Sequence, residues 1–499
     1  MSSGRSLVTS FGVDKQATTA RAPMPFKLAD TPESSPELNR ALTQRQMTMM
    51  TIGGAIGVGL FLGSSVTIRL AGPGVILSYL FSAIIALIVA YSIAEMAVTH
   101  PVAGSFGVYA QTYLNEWSGF TVRVTYAFVQ ILAIGAEVTA VAIYFSVWFP
   151  AIPQWVWVVG VSVGLIAVNS LRVGNFGEFE YWFAIIKVIT IVTFILVGLG
   201  LIFGVGHAGA IGFSNLTSHG GFLPNGLKGV LLALSLTLTS YMGVEIIGVT
   251  AGEALQPEKT IPRAMRTVTL RLILFYVLSI TVMLSMTPWD TMGSGITGSP
   301  FVLAFAKVGI PYAAKIMNLV VITAALSSAN TNLYLTSRTL FSLSHDGYVP
   351  KGPGKLGRNG VPYIALMVST AGMGAAILLA IFAPGRAFLL LYGVAVAGMF
   401  FVWSIILLAH LSFRRSIGQA RVAQLPIRLP FSPYSQIAAM IALAAIVLST
   451  YYVKGLEYSV PSFISFLLVI TAFYWTLKRR NSSKQRGSSE RNFFIPKGD

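Results

Sequence analysis

The sequence predicts an all-α integral membrane protein that crosses the bilayer about twelve times. Three observations predict it. Hydrophobic residues make up 55% of the 499 and charged residues only 10%, where soluble domains carry about 25% charge. The mean hydropathy is +0.73. Apolar runs close to the roughly 20 residues needed to cross a hydrocarbon core as a helix recur along the whole chain. With no cysteine, disulfides, thiolate metal sites and cysteine nucleophiles are excluded, and five histidines without paired spacing leave no metal site. No cofactor is expected.

Taken in order, residues 1–46 are polar and rich in Ser, Thr and Pro, which reads as a disordered cytoplasmic tail without a cleavable signal peptide. Apolar runs follow at 48–70, 74–98, 120–148, 154–171, 180–204, 227–251, 267–287, 312–338, 361–383, 387–411, 434–453 and 459–477. A ten-helix core is expected over 47–411, two further helices over 412–477, and a basic cytoplasmic tail over 478–499.

The net charge of +17 would suggest nucleic acid in a soluble protein. Its placement indicates otherwise. Of the 34 basic residues, 25 fall in the two tails and in the loops on their side of the membrane, and six (Arg69, Lys228, Lys307, Lys315, Arg386, Lys454) fall on the opposite side. Basic residues concentrate on the cytoplasmic side, so both termini are expected there, and the charge faces the lipid surface rather than a nucleic acid.

Two spans do not read as continuous helices. The first contains Gly53, Gly54, Gly57, Gly59 and Gly63 in TIGGAIGVGLFLG, and each glycine costs a helix about 1 kcal/mol relative to alanine. Close packing through small residues explains one pair of these, Gly59 and Gly63, but not the cluster. The sixth carries Ser240, Tyr241, Met242, Gly243, Val244 and Glu245, a glycine beside an acid in an apolar run. A shift of five spans inverts topology, so spans 1–5 and 6–10 form candidate inverted repeats whose broken first members meet at the midplane. Free N–H groups at a half-helix start favour a carboxylate, and free carbonyls at a half-helix end favour an ammonium. A zwitterionic amino acid satisfies both.

Ionisable side chains inside spans cost about 3 kcal/mol each to insert and are functional candidates by default. Glu245 lies at the sixth-span break, Glu137 near the middle of the third span, and Lys187 about two turns into the fifth. Each has a second reading: a neutral hydrogen-bonded acid for Glu245, a snorkelling side chain for Lys187. Glu95 and Glu253, near helix ends, are expected in a gate or in ion pairs with Arg263 or Arg123. No cluster of intramembrane carboxylates marks a sodium site, while Lys187 and Glu245 are groups able to exchange a proton. Proton coupling is therefore favoured; the competing reading makes Lys187 a fixed cation near Ser327 and Ser328 in an uncoupled exchanger.

The stretches LTQRQMTMMTIGGAIGVGLFLGSS, AGPGVILSYL, AEMAVTHPVAGSFGVYA, GEALQPEKTIPRAM and AALSSANTNLYLTSRTLFSLSHDGYVPK resemble, in order, the amino acid transporter (permease) family of the amino acid, polyamine and organocation superfamily. The resemblance implies a five-plus-five inverted-repeat fold of the leucine-transporter type with two appended helices, and secondary active uptake of amino acids across a bacterial inner membrane. It implies that backbone amides at Gly57, Val58 and Gly59 hold the substrate carboxylate. It also implies that Thr239, Ser240, Tyr241 and Met242 meet its amino group and side chain, that Glu245 gates or couples protons, and that the Lys187 amine takes the place of a sodium ion. Two departures stand out. The third span reads VTYAFVQILAIGAEVTA where many relatives carry a tryptophan-rich segment, and Thr239 replaces an aromatic residue that in some members closes over the substrate. Tyr241 and Tyr126 are the candidate substitutes, each with packing as its alternative.

The expected function is a proton-coupled amino acid permease working by alternating access. An exchanger and a non-transporting amino acid sensor are the alternatives. A membrane enzyme is disfavoured because the longer external loops, about 205–226 and 288–311, hold only His207, His219 and Asp290 as possible actors. A channel is disfavoured because no ring of like charges or carbonyl filter is present. The amino acid carried and the oligomeric state are not encoded in these motifs.

Overall fold

A computed structural model describes residues 56–102, 104–170, 173–205, 209–246, 248, 258–263, 265, 273–292, 299–307, 312–357, 360–383 and 385–492. The polar tail at 1–46, Gly53 and Gly54 of the first-span cluster, Arg172, His207, Glu253 and Arg266 lie outside the described residues. Every regular element among the described residues is helical.

A π-helical stretch at Gly59–Gly63 leads into α1 (Ser64–Ala71). The turn Gly72–Gly74 follows, with Gly72 at φ +60° where other residues are strained, and then α2 (Val75–Thr99). A short helix, α3 (Ser105–Tyr113), precedes α4 (Glu116–Trp148), which starts at Asn115, whose side-chain oxygen accepts the Ser118 N–H at 2.9 Å. Next come α5 (Gln154–Asn169), α6 (Val173–Ile202) and α7 (Gly226–Thr239). A second π-helical stretch, Ile273–Leu278, enters α8 (Ser279–Met286), followed by α9 (Pro300–Lys307) and α10 (Ala313–His345). The chain closes with α11 (Tyr363–Ser369), α12 (Ala371–Phe382), α13 (Ala387–Ile417), α14 (Gln419–Val422), α15 (Tyr434–Ser449) and α16 (Ser459–Asn492). The last of these continues as helix beyond Lys478, where the sequence predicts the basic tail to begin.

Eight helical stretches among the described residues are long and apolar enough to cross a membrane, and three shorter apolar helices accompany them. Their burial separates inner from outer members. In α4 and α13, 72% of the most apolar window is buried inside the protein, against 17% in Ser459–Arg479. The outer helices turn apolar side chains outward, including Ile189, Leu196, Leu468 and Val469, the arrangement expected where lipid is the solvent.

The centre is α4, packed against α10, α13 and α12. Small residues let it approach α12 backbone to backbone: a methyl on Gly372 would fall 1.7 Å from the Ile131 carbonyl oxygen, and one on Gly135 would fall 2.4 Å from the Gly372 oxygen. Without a hydrophobic drive between helices in lipid, such close van der Waals contact is a main source of association.

Candidate functional site

Two backbone irregularities face each other. Before the π-helical turn at Gly59, residues 56 and 57 form a bend. In the sixth apolar run, α7 stops at Thr239, and Ser240 to Glu245 continue as turns before helix resumes at Ile246. Gly243 sits at φ +106°, a conformation that a side chain strains. The Ser240 carbonyl, freed by the break, accepts the Tyr276 hydroxyl at 2.7 Å, and the Gly243 N–H donates to Glu245 Oε2 at 3.0 Å. Partners for the interrupted backbone are therefore built in.

The two segments touch through glycine. A methyl on Gly59 would meet Ser240 Cα at 2.8 Å and the Tyr392 hydroxyl at 2.7 Å; one on Gly57 would meet Ser328 Oγ at 2.8 Å. Between them lies a cavity of ≈ 40 Å³. Gly57, Val58 and Gly59 form one wall, Thr239, Ser240, Met242 and Gly243 another, Gln130, Ala133 and Glu137 of α4 a third, and Ser328, Asn332 and Tyr392 close it.

Glu137 is buried, with Ser328 Oγ donating to its Oε1 at 2.5 Å and Asn332 Nδ2 donating to both carboxylate oxygens at 3.1 Å. Gln130 Nε2 donates to Asn332 Oδ1 at 2.9 Å and to the Tyr126 hydroxyl at 3.4 Å, and Tyr126 donates to Glu245 Oε1 at 3.4 Å. A continuous hydrogen-bonded path thus runs from Glu137 through Asn332, Gln130 and Tyr126 to Glu245. Its two ends are the carboxylates of the third and sixth apolar runs.

Lys187 lies outside the cavity wall and is fully buried, with Glu180 and Glu137 as the opposite charges that act on it. Glu180 is itself buried, accepting from Ser327 Oγ and, at 3.4 Å, from Asn330 Nδ2, which links α6 to α10. Burying an ion costs several kcal/mol unless it is paired and hydrogen-bonded, and this cluster supplies both. Ser327 and Ser328, expected beside Lys187, are thus donors to the two carboxylates that flank it.

Of the residues singled out from the sequence, Gly57, Val58, Gly59, Thr239, Ser240, Met242 and Glu137 line the cavity, and Glu245 stands behind it at the end of the path. Tyr241 is elsewhere. Its hydroxyl donates to the Tyr79 carbonyl at 3.0 Å and its ring lies 4.4 Å from that of Tyr276, so it packs the turn after α7 against α2 and the Ile273–Leu278 stretch. Tyr126 is part of the polar path rather than a lid, and Tyr392, stacked on Phe388, is the aromatic residue at the cavity. Sequence reasoning missed Gln130, Asn332, Tyr392 and Glu180. The signal for the first two was available: amides within apolar runs, which burial leaves costly without partners.

Glu95 also corrects an expectation. Its carboxylate takes two hydrogen bonds from Arg414 (2.8 and 2.7 Å) and one from the Leu429 N–H (2.9 Å), with His410 Nε2 3.3 Å away. Arg123, one of the two expected partners alongside Arg263, instead pairs with Asp346 and donates to Gln111 Oε1 at 3.0 Å. Arg414 reaches Glu95 because α13 packs along α2, a neighbour relation that sequence separation hides.

A helical membrane body with two facing backbone breaks and a polar cavity between them has the form of a small-solute carrier. Residues 46–488 match the family described as amino acid permease. The chain belongs to that family. It is 41% identical over 458 residues to an uncharacterized amino acid permease, YtnA, of Bacillus subtilis, covering 91% of this chain and 98% of that one. It is 38% identical over 441 residues to the probable threonine/serine transporter YbxG of the same organism, covering 88% and 95%. Over 449 residues it is 37% identical to the aromatic amino acid transport protein AroP of Salmonella typhimurium, covering 90% and 97%. The protein is accordingly an amino acid permease, an integral protein of a bacterial membrane.

Proposed function

We propose that the protein imports a neutral amino acid together with a proton by alternating access. The hydrogen-bonded path from the cavity-lining Glu137 to Glu245 carries this reading, because it joins a candidate substrate contact to a second proton-exchanging group without leaving the protein. In this reading the substrate carboxylate meets the amides at Gly57, Val58 and Gly59. Its ammonium meets the carbonyl-rich turn at Thr239 to Met242, and its side chain points toward Gln130, Ala133 and Met242. The similar proteins bear names for threonine/serine and for aromatic amino acids, all side chains without net charge, which favours a neutral substrate.

Glu245 has two tasks in this scheme. As a carboxylate it holds the Gly243 N–H and so the shape of the break; protonation removes the charge and frees the turn to change. Lys187, held by Glu180 and Glu137, serves as the fixed cation or as a second proton site, and Glu180 positions it. We infer further that twelve helices cross the membrane, that spans 1–5 and 6–10 form the five-plus-five inverted repeat within 47–411 with 412–477 appended, and that both tails are cytoplasmic. The basic-residue bias and the matching breaks in the first and sixth spans support this arrangement.

Labelled amino acid uptake into liposomes with an imposed inward proton gradient tests the proposal. Accumulation above the outside concentration, abolished by collapsing the gradient, is the expected result. Equilibration that ignores the gradient would leave a permease that is not proton-driven.

A further inference from the structure

Beyond the transport site, the turn from α13 back into α15 encloses a concavity of ≈ 800 Å³ that bears only positive charge. Arg414, Arg415 and Arg428 line it, and no acidic side chain does. Arg414 is committed to Glu95. Arg415 and Arg428 are exposed and pair with no carboxylate among the described residues. The loop that presents them is fixed from within: Leu429 donates its N–H to Glu95 at 2.9 Å and accepts from Arg414 Nη2 at 3.0 Å, and Ser435 Oγ donates to the Pro430 carbonyl at 3.0 Å.

The surroundings specify what sits there. Leu408, one helical turn before the lining residue Leu411, is 41% exposed, and Ile437, one turn after the lining residue Pro433, is 44% exposed. Phe431, which lines the hollow, and Tyr434, next in the chain to the lining residue Pro433, are 84% and 78% exposed. Exposed aromatic rings flanking a span are typical of headgroup depth, and basic hollows between helices at that depth suit anionic headgroups. We propose that this hollow binds an anionic phospholipid, with its phosphate between Arg415 and Arg428, its acyl chains along Leu408 and Ile437, and the Phe431 and Tyr434 rings beside its glycerol. The site is independent of which amino acid is carried.

The test uses the purified full chain in neutral detergent and follows Tm while adding short-chain phosphatidylglycerol, phosphatidylcholine of the same chain length, or inorganic phosphate. Phosphatidylglycerol alone should raise Tm. The double variant R415Q/R428Q should need about 30-fold more of it for the same rise, taking about 1 kcal/mol per basic residue at a lipid surface. A variant with the same charge loss on distant loops, R386Q/K454Q, should respond like the parent. Each arginine replaced singly should give an intermediate response, which keeps the test open if the double variant folds poorly. Equal stabilisation by phosphatidylcholine, an equal effect of phosphate alone, or an unaltered response of R415Q/R428Q would each overturn the assignment.

Discussion

At the scale of single residues, contact distances separate residues that hold shape from residues placed to do chemistry. Gly59 leaves no room for a substituent, since a Cβ would strike the Ser240 backbone as well as the Tyr392 hydroxyl, and the backbone cannot swing aside. Gly59→Ala should therefore push the two breaks apart, with uptake falling at least tenfold while the amount of folded protein in the membrane stays near the parent level. Unchanged uptake by that variant would mean that the two segments do not need to touch. Glu245→Gln should retain amino acid binding, measured by thermal shift, and lose accumulation driven by a proton gradient, because the amide keeps a polar group at Gly243 but exchanges no proton. For Glu180, replacement by Gln should shift the pH profile of uptake, while a purely structural role would lower folded yield and leave the profile in place.

At the scale of elements, the pairs that the sequence could not supply are the long-range ones. The glycines of the first span and the glycine-acid pair of the sixth were legible because they contradict helix propensity within a stretch that must be helical in lipid. Gln130 with Asn332, Glu180 with Ser327 and Glu95 with Arg414 were not legible, since periodicity tells which face a residue occupies and never which distant helix covers that face. The same limit explains Tyr241, placed at the cavity by its position in a motif but turned toward Tyr79 and Tyr276 in the fold. Two stability predictions belong here. Glu95→Gln removes the fully buried carboxylate that Arg414, itself partly exposed, holds, and should lower Tm in detergent, with the cost below the roughly 3–5 kcal/mol of a wholly buried pair. Gly372→Ala places a methyl against the Ile131 carbonyl and should cost about 1–3 kcal/mol through separation of α12 from α4.

At the scale of the whole molecule, the scarcity of charge that marks the chain as a membrane protein also sorts its remaining charges into two sets. Most basic residues lie in the loops and tails of the sequence, and the proposed orientation rests on them; Glu137, Glu180, Lys187 and Glu245 are buried among helices around one cavity. Because the chain has no cysteine, single cysteines report topology without background. A cysteine at Lys454 should react with an impermeant maleimide added to intact cells, and one at Arg421 should react only after the membrane is opened; the reverse pattern would invert the orientation proposed here.

Coupling itself is read most directly by loading liposomes containing the protein with a pH-sensitive dye and adding a neutral amino acid outside with no gradient imposed. Symport predicts that the interior acidifies as labelled amino acid enters, and that Glu245→Gln abolishes the acidification. Entry of the amino acid at the parent rate with no change in internal pH would contradict proton coupling.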